Sequence, residues 1–341
     1  MKFYTLFFLL ITASNSFSNS IGDHTTQLKE LCSLSIDTTN YSKNRSFRKS
    51  EILFTENDDY YFVAQQDLKK KEIVSNIYSI PKNDLDTREV LFTTEGKVND
   101  ILFTGNSVWL LQDYRILVRE LDSTYESVIT LTSTLNRNKE NRAYDMEKMA
   151  GYILVASGVS GVKAVSIKRK KVSSNYDLDL IENEKSKSKA VAITKLNNHS
   201  FLVGVDQYNF TKQGKAGFNG IIELHPVTRK VIKYPFNYKN SGIFSSHAKM
   251  KVYNDVLWLN NWGKIQYINI DNMKKKGSVD ISWLPTIFER ADRNWAADPM
   301  GEFIIEDDTM HVCAKVSEIQ TIKPVAPRAE LYKIPELSQY K

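Results

Sequence analysis

The sequence predicts an all-β fold, a single β-propeller most economically built from six four-stranded blades, and three observations carry that expectation. The stretch Val98–Thr132 reads as four strands in a row, Ile101–Thr104, Val108–Leu111, Ile116–Leu121 and Val128–Thr132. Turn formers separate them: Gly105-Asn106, Gln112-Asp113-Tyr114 and Asp122-Ser123. The unit then recurs. Second strands begin at Tyr60, Val108, Tyr152, Phe201, Val256 and Met310, at spacings of 48, 44, 49, 55 and 54 residues, close to the repeat of about 40–50 expected of propeller blades. Each is followed by a third strand closing on Ile80, Leu121, Ile167, Leu224, Ile270 or Ile334, then by a turn or charge signal such as Pro81, Asp122 or Pro335.

Taken in order, residues 1–20 read as a cleaved signal peptide. Lys2 precedes the largely apolar run Phe3–Ile11, and Ser18 and Ser20 occupy the −3 and −1 positions of a cleavage site after Ser20. The run falls short of the ~20 apolar residues a spanning helix needs, and no later segment is long enough either. Residues 21–341 are then the propeller, and the protein is expected to be secreted or periplasmic. First strands lie upstream of each pair at Ser50–Thr55, Asp100–Thr104, Asp145–Met149, Lys189–Lys195, His247–Tyr253 and Ala296–Ile304. Inner strands such as VWLL and YILV are apolar on both faces, as a sheet packed between two neighbours requires.

After Ile334 only PELSQYK remains, too little for a fourth strand. The isolated strand Leu31–Ile36 is therefore assigned as the outer strand of the last blade, sealing the ring. Seven blades would require irregular strands hidden in Thr211–Phe218 or Ile304–Arg328. This topology puts Cys32 two strand steps from Cys313, about 9.5 Å at ~4.8 Å per step, beyond the roughly 7 Å that a disulfide spans. Two buried, unpaired cysteines are the expectation, although an even cysteine count in an exported chain invites a bond.

The charge is mild. The 46 Lys+Arg against 40 Asp+Glu leave +6, and removing Lys2 with the signal leaves +6 − 1 = +5. The lysine runs Lys69–Lys71, Lys168–Lys171 and Lys274–Lys276 read as solvated turns guarding sheet edges, not as a nucleic-acid surface. No GxSxG elbow, P-loop or GxGxxG is present, and the five histidines form no HxH or HExxH pair, so common hydrolase, nucleotide and zinc signatures are missing. The N-x-[ST] sites at Asn40, Asn44, Asn198 and Asn209 matter only in a source that glycosylates exported proteins.

Ligands of a propeller commonly meet the face built from loops entering the first strands and loops joining second to third strands. Candidate ligand contacts there are Asp113, Tyr114, Arg115, Tyr208, His247, Asn261 and Trp262. The long loop after Asp206 and the turn Asn260-Asn261-Trp262-Gly263 stand out, since binding residues concentrate on loops held by rigid scaffolds. The aromatics serve equally well as packing between blades. Asp100, Asp145, Asp206 and Asn260 come from different blades and form an oxygen-rich set suited to a divalent cation such as calcium. A water on that cation would make the protein a lactonase-like or esterase-like hydrolase. The leading expectation is instead a non-enzymatic binding or scaffold protein, monomeric, without cofactor, engaging a protein, peptide or carbohydrate.

The segment Tyr152–Ile167, YILVASGVSGVKAVSI, resembles one blade of the LVIVD-repeat propellers, in which an apolar strand, a Ser/Gly turn and a second apolar strand recur. The resemblance covers 16 of 341 residues and implies a propeller fold, with no ligand attached to it.

Overall fold

The computed structural model describes Cys32 and residues 53–340, apart from 70–71, 124–125, 133–140, 184–185, 208–217, 238–247, 262–263, 285–294 and 319–327. Its strands form six antiparallel sheets in chain order, each a blade of a propeller. Blade one is β1 (Leu53–Glu56), β2 (Tyr60–Lys69), β3 (Glu72–Pro81) and β4 (Glu89–Glu95). Blade two is β5 (Asp100–Thr104), β6 (Ser107–Gln112), β7 (Arg115–Glu120) and β8 (Glu126–Thr130). Blade three is β9 (Asp145–Met149), β10 (Tyr152–Ala156), β11 (Val162–Ser166) and β12 (Lys171–Tyr176). Blade four gains a short extra strand, β13 (Ile181–Asn183), before β14 (Ser186–Lys195), β15 (Phe201–Gln207), β16 (Gly220–His225) and β17 (Lys230–Pro235).

Blade five is β18 (Lys249–Tyr253), β19 (Val256–Asn261), β20 (Lys264–Asn269) and β21 (Ser282–Trp283), with the helix α1 (Ile270–Lys276) between its last two strands. Blade six shows three described strands, β22 (Trp295–Glu306), β23 (Thr309–Glu318) and β24 (Arg328–Ile334). The boundaries follow the predicted ones within a few residues. The turns are those the residue types demand: Gly105, Gly151, Asn254-Asp255 and Asp307-Asp308 all adopt positive φ at the hairpins joining first and second strands.

Why the blades form a closed ring is visible in the core. Each blade pair shares a separate apolar cluster. Leu53 and Phe62 meet Val108 and Leu110 between blades one and two, and Trp109 and Leu111 meet Ile153 and Val155 between two and three. Leu154 and Ala164 meet Val203 and Ile222, Leu202 and Ile221 meet Leu257 and Leu259, and Trp258 meets Phe303 and Val312. The ring closes where Tyr61, Val63 and Phe54 of blade one pack on Ile304 and Leu331 of blade six. Sheets buried on both faces explain the continuous apolar runs in the central strands.

In the LVIVD-like blade the Ser/Gly turn is a backbone requirement. Gly161 has φ +74, and a Cβ there would lie 2.4 Å from the carbonyl of Tyr176. Gly158 bridges to Ala190 in blade four, so the turn also ties two blades together.

Two expectations need correction. Cys32 and Cys313 are disulfide-bonded, with Cα atoms 5.6 Å apart. Cys32 is helical, so it does not belong to a ladder beside β24, and the two-step spacing that argued against a bond does not apply. In β23, Cys313 stands opposite Leu331, and the bond is approached from the sheet face, against Phe54 and Leu331 at the seam of the ring. The rest of Leu31–Ile36 and the signal segment lie outside the described residues. The second correction concerns Lys274–Lys276: they end α1, which Asn269 caps by accepting from the Asn272 N–H at 2.8 Å and Gly277 terminates at φ 64. Of Lys168–Lys171, the first three residues do occupy the turn between β11 and β12, and Lys171 opens β12.

Candidate functional site

The channel is lined by the first long strand of each blade. Along the stretches facing the channel, beyond the short β13–β14 pairing, the inner-edge N–H groups of β9 and β14 have no strand partner inside their own blade among the described residues. Buried N–H groups of that kind need acceptors. Acidic side chains of the preceding blade supply them. Asp100 Oδ2 accepts from Met146 N at 2.7 Å, Asp145 Oδ2 from Ile193 N at 2.8 Å and Glu147 Oε2 from Lys195 N at 3.2 Å. Each carboxylate thereby fastens one blade to the next.

The remaining oxygens of the two aspartates converge on one ammonium. Lys249 Nζ lies 2.7 Å from Asp100 Oδ1 and 2.7 Å from Asp145 Oδ1. All three side chains are buried, at 7, 6 and 6% exposure, so this is a desolvated triad spanning blades two, three and five. Each member is the first residue of its strand, β5, β9 and β18, which sets them at one level of the channel.

Beyond this level the channel widens into a cavity of about 450 Å³. Its lining comes from positions further along each first strand, including Leu102, Glu147, Lys195 and Lys251. It therefore occupies the half of the channel toward the hairpins joining first and second strands, opposite the loops to which the sequence reading assigned ligand contact. Glu147 is half-buried and Lys195 exposed, so this end meets solvent. Burial pushes the Glu147 carboxyl above its ordinary pKa, opposed by the N–H groups of Lys148 and Lys195 and by the Lys251 charge. Lys251 also lies 5.6 Å from the Phe303 ring centre.

On the other face the predicted contacts are engaged with one another. Asp113 is ion-paired with Arg142 at 3.1 Å and accepts from Asn99 Nδ2 at 2.9 Å, while Tyr114 hydrogen-bonds Arg142. Arg115 Nε donates to Gln112 Oε1 at 2.6 Å, and Gln112 reaches back to the carbonyl of Glu95 in blade one. Tyr144 joins this group, and burial raises its pKa well above that of a free tyrosine. Lys163 is buried beneath it, donating to Thr132 Oγ1 and the Leu131 carbonyl, and burial lowers its pKa.

Of the other candidates, Asn261 ends β19 opposite Lys264, whereas Tyr208, His247 and Trp262 lie outside the described residues. Of the proposed metal set, Asp100 and Asp145 do come together, around Lys249. Asp206 pairs in register with Lys189 in blade four, and Asn260 with Lys249 in blade five. Among the described residues no group of three or more His, Cys, Asp or Glu is placed to hold a metal ion.

Sequence reasoning overlooked Lys249, Glu147, Lys195 and Lys251. Aligning first strands on their opening residue would have exposed the first of these, since Asp100, Asp145 and Lys249 are equivalent. Taking that strand from His247 hid it.

No family model matches the chain, and no curated protein matches it. Among solved structures, the N-terminal domain of Nup159 is similar at 10% identity, covering 83% of this chain and 76% of that one with a TM-score of 0.50. The computationally designed Ika8 protein aligns over 83% of this chain and 96% of its own at 8% identity and a TM-score of 0.44. The extracellular domain of BT4673 from B. thetaiotaomicron aligns over 81% of this chain and 36% of its own at 13% identity and a TM-score of 0.47. At such identities the Nup159 likeness bears on the fold alone, and it agrees with the propeller built up above.

Proposed function

We propose that this chain is an exported, non-enzymatic binding propeller that takes a small ligand carrying charges of both signs into its channel cavity. The observation that carries the reading is the lining of that cavity. Asp100, Asp145 and Glu147 face it with Lys195, Lys249 and Lys251, three charges of each sign around a floor of aliphatic side chains. The triad is closed upon itself, which leaves Glu147 for a cationic group and Lys195 and Lys251 for an anionic one. A free amino acid has that chemistry, and about 450 Å³ is within the usual range of roughly 300–1,000 Å³ for small-molecule sites.

Export is supported by the apolar N-terminal run and by the Cys32–Cys313 bond, since disulfides persist in oxidising compartments. Among the described residues no helix is long and apolar enough to cross a membrane. The hydrolase alternative would draw on Asp100 and Asp145 to hold a cation. In this chain those carboxylates carry Lys249, which favours binding.

The test is calorimetric titration of the mature chain with the free amino acids and, as controls, uncharged polyols. At least one amino acid should bind saturably, and Glu147→Gln or Lys251→Met should weaken it about tenfold or more. Binding that ignores both substitutions, or no binding by any of these ligands up to ~10 mM, refutes the reading.

A further inference from the structure

A second cavity, of about 370 Å³, lies away from the channel on the flank of blade five, between β20, α1, β21 and the C-terminal 3-10 turn Leu337–Tyr340. We propose that this cleft binds a neutral saccharide of one or two rings.

Three observations lead there. The cleft presents two half-buried aromatic rings, Tyr267 and Tyr340, held by packing: Tyr340 stands edge-on to Tyr267 at 5.1 Å and to the buried Trp258 at 5.4 Å. Rings fixed in this way lose little freedom when a ligand stacks on them, and the apolar C–H face of a sugar ring complements an aromatic face.

Around the rings stand the side-chain amides of Asn272 and Gln339 and the hydroxyl of Ser282. Among the described residues none of these three groups, nor either tyrosine hydroxyl, has a hydrogen-bond partner in the protein. Amides offer donors and acceptors together, and so match hydroxyls that do the same.

The third observation is electrical. The cleft's charges, Lys276 and Asp280, are ion-paired at 2.7 Å, and Asp280 also accepts from Asn237 Nδ2 at 2.6 Å. Among the described residues that line the cleft, no unpaired charge of either sign is left to recruit an ionic ligand. Half-buried aromatic rings, unengaged amides and hydroxyls, and cancelled charge together describe a site for a neutral polyol ring. This site is independent of the channel.

Trp258 makes it directly readable, because its ring touches Tyr340. Titrating the mature chain with maltose, cellobiose and N,N′-diacetylchitobiose while following tryptophan fluorescence should give a saturable change for at least one of them. The double variant Asn272→Ala/Gln339→Ala alters two exposed side chains, so its melting temperature should stay close to the parent's. Its affinity for that sugar should fall about tenfold or more. Glu147→Gln, in the channel, should leave sugar binding unchanged. The proposal is overturned if none of the three sugars gives a saturable change up to ~10 mM. It is equally overturned if the double variant binds like the parent, or if Glu147→Gln abolishes binding.

Discussion

Replacing Lys249 by methionine keeps much of the side-chain volume and removes the ammonium between Asp100 and Asp145. At 2.7 Å and an effective dielectric near 20, each contact carries a gross attraction of roughly 6 kcal/mol. Against this stands the desolvation of three ions at several kcal/mol each, so the intact triad is close to break-even. Its removal is not. Two buried carboxylates would face one another without a counter-charge, a situation that costs about 3–5 kcal/mol.

At roughly 2 °C per kcal/mol for a domain of this size, the Lys249→Met melting temperature should fall by about 6–10 °C at neutral pH. Part of the loss should return on acidification, because protonating one aspartate relieves the repulsion. The triple variant Asp100→Asn/Asp145→Asn/Lys249→Met should recover most of the stability at neutral pH. Asparagine Oδ1 can still accept from the Met146 and Ile193 N–H groups, and no buried charge is left. Thermal melts followed by tryptophan fluorescence measure all of this. The reasoning fails if Lys249→Met melts within about 1 °C of the parent, or if the triple variant is no more stable than the single one.

Two further outcomes follow from the same geometry. The Cys32–Cys313 bond closes a loop with a sequence separation of 281, so Cys32→Ser/Cys313→Ser should lose about 2–5 kcal/mol in denaturant unfolding, and a non-reducing peptide map should recover the two cysteine peptides linked. Glu147 titrates above an ordinary carboxyl group when folded, so between its unfolded and folded pKa values the native state holds the proton more tightly. Stability should therefore decline as pH rises through that interval, and Glu147→Gln should abolish this component in pH-dependent melts.

The blades were legible because a sheet buried on both faces leaves a strong mark: continuous apolar runs such as VWLL and YILV, punctuated by residues that tolerate positive φ. That mark repeats six times, and repetition averages out the uncertainty of any single strand. The helix α1 carried its own signals, the cap Asn269 and the terminator Gly277, but the repeat led the eye past them to a turn. The disulfide was missed for a geometric reason. Ladder spacing constrains residues within a sheet, whereas Cys32 is helical and is not part of the ladder that holds Cys313.

The channel cavity proposed as the site was harder to read because its lining belongs to strands, whereas ligand contacts were expected on loops. Asp113, Tyr114 and Arg115 have the chemistry of ligand contacts, and in the fold they also hold structure together: Asp113 and Tyr114 engage Arg142, and Arg115 engages Gln112, which reaches the Glu95 carbonyl of blade one. The same residue types perform both tasks, and only the partner decides between them. Asp100 and Asp145 make the point most sharply. Each uses one oxygen to satisfy a neighbour's N–H and the other to hold Lys249. A carboxylate saturated in this way has little capacity left for a ligand. Glu147 differs by its position two residues further along β9, at the open end of the cavity. There both carboxylate oxygens accept main-chain N–H groups, from Lys148 at 2.9 Å and Lys195 at 3.2 Å. Among the described residues, however, no ammonium is ion-paired with it as Lys249 is with the aspartates, so its charge is left uncompensated. The ligand proposed for this channel should therefore engage it where the ion pairing ends, one level below the triad.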